Sequence, residues 1–179
     1  MMLSSTHARG HGVAVVIDLQ ARALVERGHE VIIAGAGSAN DFEYPGCDKI
    51  VIHDPRSAAT IAAEKSVDVV IAHTPPFFDV ARWTGSYPPV IAYDYGEPPP
   101  EFFPDAVARQ EGLDSKDLSL RASYKVLAIS ESVAAESTVP PHGVVPLGNG
   151  HLGRWDSASA ERRARARRAV SYTHLRAHE

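Results

Sequence analysis

The side chains with chemical reach in this sequence stand directly after short apolar runs. His73 and Thr74 follow Val67–Ala72, and Pro75-Pro76 then force the chain to turn. Asp94, Tyr95, Gly96 and Glu97 follow Pro89–Tyr93, ahead of Pro98, Pro99 and Pro100. Ser130 and Glu131 follow Lys125–Ile129. A carboxylate at position 94 has two readings: it orients an acceptor hydroxyl or takes its proton, or it caps the proline loop. His73 reads either as a ligand contact or as a local hydrogen-bonding residue. Ser130 is first a helix N-cap, worth about 1 kcal/mol, and second a cleft residue. In Arg9-Gly10-His11-Gly12, glycines let the backbone pass close to a ligand, and the helix that follows points its positive end there. The plainer alternative is a tight strand-to-helix turn. No carboxylate pair stands at metal-ligand spacing, so neither metal nor cofactor is expected.

The elements that must position these residues are legible as an alternation. Apolar β-branched runs exchange with alanine-rich helical patterns, which predicts an α/β fold with a doubly wound parallel sheet, Rossmann-like. A first helix is predicted from Gly12 to Arg27, with Val13, Ile17, Ala21 and Leu24 as its apolar stripe and Gly28 beyond its end. Strands are expected at Glu30–Ala34, Lys49–His53, Val67–Ala72, Pro89–Tyr93, Lys125–Ile129 and near Gly143–Pro146. Asp54 and Pro55 supply an N-cap and a first-turn proline for a second helix reaching Lys65. Gly96–Pro104 is expected as an irregular loop, followed by a polar helical stretch. In such sheets ligands sit beyond the C-terminal strand ends, where strand order reverses. That rule brings Gly12, His73, Asp94 and Ser130 to one edge.

Bulk properties narrow the classes. At 179 residues the chain suits one sizeable core. Six Arg and two Glu fall from Ser157 onward, which leaves 12 basic and 20 acidic residues before it, a net −8. An acidic body argues against nucleic acid as a partner, and Arg162–Arg168 reads as a solvated linker helix. Cys47 is the only cysteine, which fits a reducing compartment and forbids an internal disulfide. With no span-length apolar run and a polar N-terminus, a cytoplasmic protein is expected. Gly35-Ala36-Gly37 is not a dinucleotide fingerprint, because Asn40 stands where a third glycine would be.

Four segments together resemble family-four glycosyltransferases, whose GT-B architecture faces two Rossmann-like domains across a cleft. Gly10-His11-Gly12-Val13, leading through Asp18-Leu19 to Gly28-His29-Glu30-Val31, is similar to the family's glycine loop, first helix and second strand. Val67–Pro75 resembles its DVVHAHSP strand, Val126–Ser132 its VIAVSE turn, and Val144–Gly150 its VIPNGV ending. The likeness covers 6–155.

The resemblance implies a retaining, hexosyltransferase-type enzyme, of which this is the acceptor-side half. The nucleotide-sugar donor would be held mainly by a second domain, and this half would bind a sugar, lipid or small-molecule acceptor. Gly10, Gly12, His73, Thr74, Tyr95, Gly96, Glu97 and Ser130 would line the substrate site, with Asp94 where many members carry a histidine. The full enzyme could touch a membrane peripherally. Residues 1–155 are expected as the domain, and 156–170 as the start of a linker. Ser171–Glu179 share no pattern with the rest and resemble translated adapter read-through, so few buried contacts are expected there. Only Met1–Thr6 precede the glycine loop, so a short first strand and a marginally stable fragment, inactive alone, are expected. Two rivals remain: a non-catalytic Rossmann-like module binding a nucleotide or small ligand, and an NAD-dependent epimerase or dehydrogenase, which would need G-x-G-x-x-G after an intact first strand.

Overall fold

The computed structural model describes residues 1–5, 7, 12–36 and 43–146. Gly10, the linker at 156–170 and the tail at 171–179 lie outside the described residues. The strands are β1 (Met2–Ser4), β2 (Ile32–Gly35), β3 (Asp48–Val51), β4 (Val70–Ala72), β5 (Val90–Asp94), β6 (Lys125–Ala128) and β7 (Gly143–Val144). The helices are α1 (Gly12–Val25), α2 (Pro55–Glu64), α3 (Val80–Trp83), α4 (Ala106–Ala122) and α5 (Glu131–Glu136). Short 3-10 turns occupy Phe77–Asp79 and Pro100–Phe102.

All seven strands join one sheet in the order β3-β2-β1-β4-β5-β6-β7, every pair parallel. The α/β doubly wound expectation is met. Strand order reverses between β1 and β4, which are neighbours in space yet separated by β2 and β3 in sequence. β1 is three residues long, and register pairs Met2 with Ile33 on one side and Ile71 on the other.

Side-chain alternation splits the core between the two sheet faces. Leu3, Ala34, Val70, Ala72, Ala92 and Val126 pack with Ala58 and Ala62 of α2, Phe77, Phe78, Val80 and Leu120 of α4. Met2 and Ile33 point the other way, onto Ile17 and Ala21 of α1. Each face of a parallel sheet is thereby covered, as its unbroken apolar strands require.

Local rules set the helix ends. α1 stops at Val25 and Gly28 takes φ +83°, the left-handed conformation that glycine adopts without steric cost. On its outer side Arg22 pairs with Asp18 at 2.9 Å. Asp54 caps α2 by accepting from the Ser57 amide at 2.9 Å, and Asp105 caps α4 by accepting from Ala108 at 2.8 Å. At the end of β2 the backbone leaves no room for a side chain. A Cβ on Gly35 would lie 2.1 Å from the Ser4 carbonyl oxygen and 2.6 Å from His7 Nε2.

Candidate functional site

Parallel strands deliver all their C-terminal ends to one edge, so whatever follows each strand is gathered there. His73 follows β4, Asp94 ends β5, Ser130 follows β6, and Gly12 opens α1 after β1. The expected edge placement of these four is what the topology produces. They do not all meet. A cavity of about 300 Å3 brings together His73, Thr74, Tyr95, Gly96 and Glu97 with Val13 at the start of α1. Pro75, Phe78, Pro98, Pro99 and Phe102 complete its walls, and Lys116 reaches in from α4.

His73 is fully buried and its ring stacks on Tyr93, centroids 5.3 Å apart. Its Nδ1 lies 3.0 Å from Tyr95 Oη, while Nε2 has no partner among the described residues. Burial, and then the neighbouring His7, push the imidazole pKa down to about 3, so it is neutral under ordinary conditions. Burial likewise holds the Tyr95 phenol protonated by raising its pKa. Thr74 Oγ1 is occupied by the residue that follows β1: it accepts from the Ser5 amide at 2.7 Å and donates to Ser5 Oγ at 3.0 Å. Thr74 thus ties β4 to the end of β1 across the switch point.

Asp94 is 1% exposed and its carboxylate is held chiefly through Oδ1. Oδ1 pairs with Lys116 Nζ at 2.7 Å and accepts from the Gly96 amide at 2.9 Å. Oδ2 lies 3.3 Å from Ser137 Oγ, whose single proton is directed more closely to the Val139 carbonyl at 2.8 Å. Lys116, only 9% exposed, also donates to the Gly96 carbonyl at 2.9 Å. The bond to Gly96 is the loop cap that sequence offered as one alternative. Gly96 has φ +97°, so the turn needs a glycine, and a Cβ there would meet Val133 at 3.4 Å. Lys116, twenty-two residues along the chain on α4, was not identified from sequence. A polar helix face carries no sign of which lysine will be buried.

A second cavity, about 310 Å3, lies beyond this partition, between the 94–97 loop, α4 and α5. Its lining is charged: Asp94, Glu97, Arg109, Asp114, Lys116, Asp117 and Glu136 contribute. Arg109 Nη2 pairs with Glu97 Oε2 at 2.7 Å across its rim. Ser130 lines neither cavity. It accepts from the Val133 amide at 3.2 Å as the N-cap of α5, the first of its two expected roles.

His7 is a buried residue that sequence reasoning passed over. Its Nδ1 is 2.8 Å from Tyr44 Oη and its Nε2 is 3.3 Å from the Ala34 carbonyl oxygen. Burial lowers its pKa, against the raising effect of the Ala34 bond. Among the described residues no group of three or more His, Cys, Asp or Glu side chains is placed to hold a metal ion. No described helix is long and apolar enough to cross a membrane. Compared with known protein families, the chain matches no family profile, and no curated protein is similar to it.

Proposed function

We propose that this chain is the acceptor-side domain of a retaining glycosyltransferase, transferring a sugar from a nucleotide-sugar donor to an acceptor hydroxyl. One observation carries the proposal: a single cavity at the ends of β4 and β5 gathers His73, Thr74, Tyr95, Gly96 and Glu97 beside the start of α1. Those five are among the eight residues that the likeness to family-four glycosyltransferases assigns to substrate; Gly12 and Ser130 do not line this cavity, and Gly10 lies outside the described residues. The strand order adds support, because the cavity stands at the switch point where such sheets bind ligands.

In this reading the donor diphosphate lies at the N-terminal end of α1, near Gly12, with the nucleotide held mainly by a second domain. The bond between the anomeric carbon and the diphosphate oxygen breaks, and a bond to the acceptor oxygen forms on the same face. The acceptor proton passes to the departing diphosphate, so no side-chain base is required. Asp94 then acts as a positioning residue: it holds the 94–97 turn through Gly96 and Lys116. Orientation of this kind supplies much of a transfer enzyme's rate.

A non-catalytic module is the second reading, and the engagement of the nearest carboxylates favours it. Asp94 is bound to Lys116, and Glu97 to Arg109. The deciding experiment is a transfer assay with labelled nucleotide-sugars on the full-length gene product, since in this reading the chain without its second domain makes no product. Labelled glycoside with retained anomeric configuration supports the transferase; ligand binding without product from any donor supports the module.

A further inference from the structure

We infer that His73 is a positioning residue for Tyr95. It keeps its ring proton on Nδ1, so that Tyr95 turns its own hydroxyl proton into the cavity at the ends of β4 and β5 and donates it to a ligand oxygen. The inference rests on the proposed function only in naming that oxygen as the acceptor hydroxyl.

A neutral imidazole has one N–H and one bare nitrogen, and the bond made at one nitrogen fixes the state of the other. His73 is neutral because its ring is fully buried, which depresses its pKa to about 3. Its Nδ1 lies 3.0 Å from Tyr95 Oη, a partner able to donate or accept. The choice therefore falls to Nε2, which is sealed from solvent and has no partner among the described residues. With the proton on Nε2, a buried donor goes unanswered. With the proton on Nδ1, the ring donor is answered by Tyr95 and only a bare lone pair is left over. Folded proteins leave buried acceptors unpaired more readily than buried N–H groups, so the proton belongs on Nδ1. Tyr95 Oη then accepts from the ring, and its O–H is released. Unlike His73, Tyr95 is only partly buried and lines the cavity, so its O–H has a ligand or water to meet. Burial raises its pKa, which keeps the proton on the phenol and makes Tyr95 a donor rather than a base.

The direction of that proton matters for transfer. A hydroxyl oxygen offers one proton and two lone pairs. With Tyr95 on one lone pair, the other is left for the anomeric carbon and the proton for the departing diphosphate. Under the opposite tautomer Tyr95 would turn a lone pair to the cavity and compete with the diphosphate for that proton.

The test has two arms. In the whole chain with isotope-labelled histidine and tyrosine, long-range NMR correlations at neutral pH should show His73 protonated at Nδ1 and bare at Nε2. The Tyr95 hydroxyl should exchange rapidly with water, giving one averaged Cζ signal in mixed light and heavy water. A protonated Nε2, or a slowly exchanging hydroxyl with a split Cζ signal, would overturn the inference. In the transfer assay on the full-length gene product, Tyr95→Phe should lower kcat/KM by about fivefold or more, the worth of one hydrogen bond. His73→Phe should also slow transfer, and the double variant should be no slower than Tyr95→Phe alone. An undiminished rate with Tyr95→Phe, or additive losses in the pair, would overturn the inference as well. The arms separate it from the functional reading. No product from the unaltered enzyme removes the transferase and leaves the tautomer to be decided by NMR, whereas product with Nε2 protonated does the reverse.

Discussion

The ends of β4 and β5 are neighbours in the sheet, and each closes on a buried polar side chain, yet the two residues are in opposite situations. The Asp94 charge is answered: a cation and a backbone amide converge on Oδ1, and the Ser137 hydroxyl lies near Oδ2. His73, just as buried, is held at one nitrogen and left unpartnered at the other. A residue whose bonding is complete holds structure together. One whose bonding is incomplete keeps capacity for something else, at a standing cost to the fold. The more conspicuous candidate in the sequence, a carboxylate after a strand, therefore belongs to the scaffold.

The sharpest way to break this contrast is to remove the Asp94 carboxylate. Asp94→Ala leaves the Lys116 ammonium buried without its partner and should cost about 3–5 kcal/mol by urea denaturation. The double variant with Lys116→Met should recover most of that loss. Equal instability of single and double variants would show that the ion pair is not what holds the turn.

Acid should produce the next largest effect. Both His7 and His73 have pKa values lowered by burial, the latter to about 3, so the unfolded chain binds more protons than the folded one below about pH 6.5. The stability they confer is full above that pH and is lost as pH falls toward the folded values. The expected slope is about 1.4 kcal/mol per pH unit for each histidine. A His73→Phe variant should lose one histidine's share of the slope, and an unchanged slope would mean that His73 is already charged in the fold.

At constant neutral pH the two histidines should separate again. His7→Phe strips bonds from the buried Tyr44 hydroxyl and Ala34 carbonyl, and should cost about 2 kcal/mol. His73→Phe deprives only Tyr95, which lines an open cavity where water can replace the lost bond, and should cost about 1 kcal/mol or less. Reversal of that order in thermal melts would overturn the distinction between complete and incomplete bonding. The smallest effect belongs to the rim. Glu97→Gln breaks an ion pair whose side chains are 42% and 30% exposed, so its cost should stay within about 0.5 kcal/mol and shrink in salt.

Much of this architecture could be read from the chain because its signals are local. Asp54-Pro55 starts α2 where expected, and Gly28 follows α1, although α1 ends at Val25, two residues before the expected Arg27. The strand expected at Glu30–Ala34 is shifted to Ile32–Gly35, because Gly35 pairs with Ser4 and Val51 in register and Glu30 has no strand partner. The placement of His73, Thr74 and Tyr95 at one sheet edge was legible for the same reason: in a parallel sheet the position after a strand fixes the edge. The partners that give these residues their roles were not legible. Asp94 meets Lys116 on α4, His7 meets Tyr44 from a distant loop, and Phe102 reaches the His73 cavity from a proline turn. Each meeting depends on tertiary packing, which leaves no periodicity in the sequence.

Gly35 places a different kind of demand on the protein. With a Cβ position only 2.1 Å from the Ser4 carbonyl oxygen and 2.6 Å from His7 Nε2, even alanine is too large there. A mutational scan would find no gradient of tolerance at this position: small and large side chains should fail alike, since the first added carbon already collides with backbone. Any lineage of this chain that keeps β1 against β2 is thus confined to glycine at 35, whatever its ligand becomes.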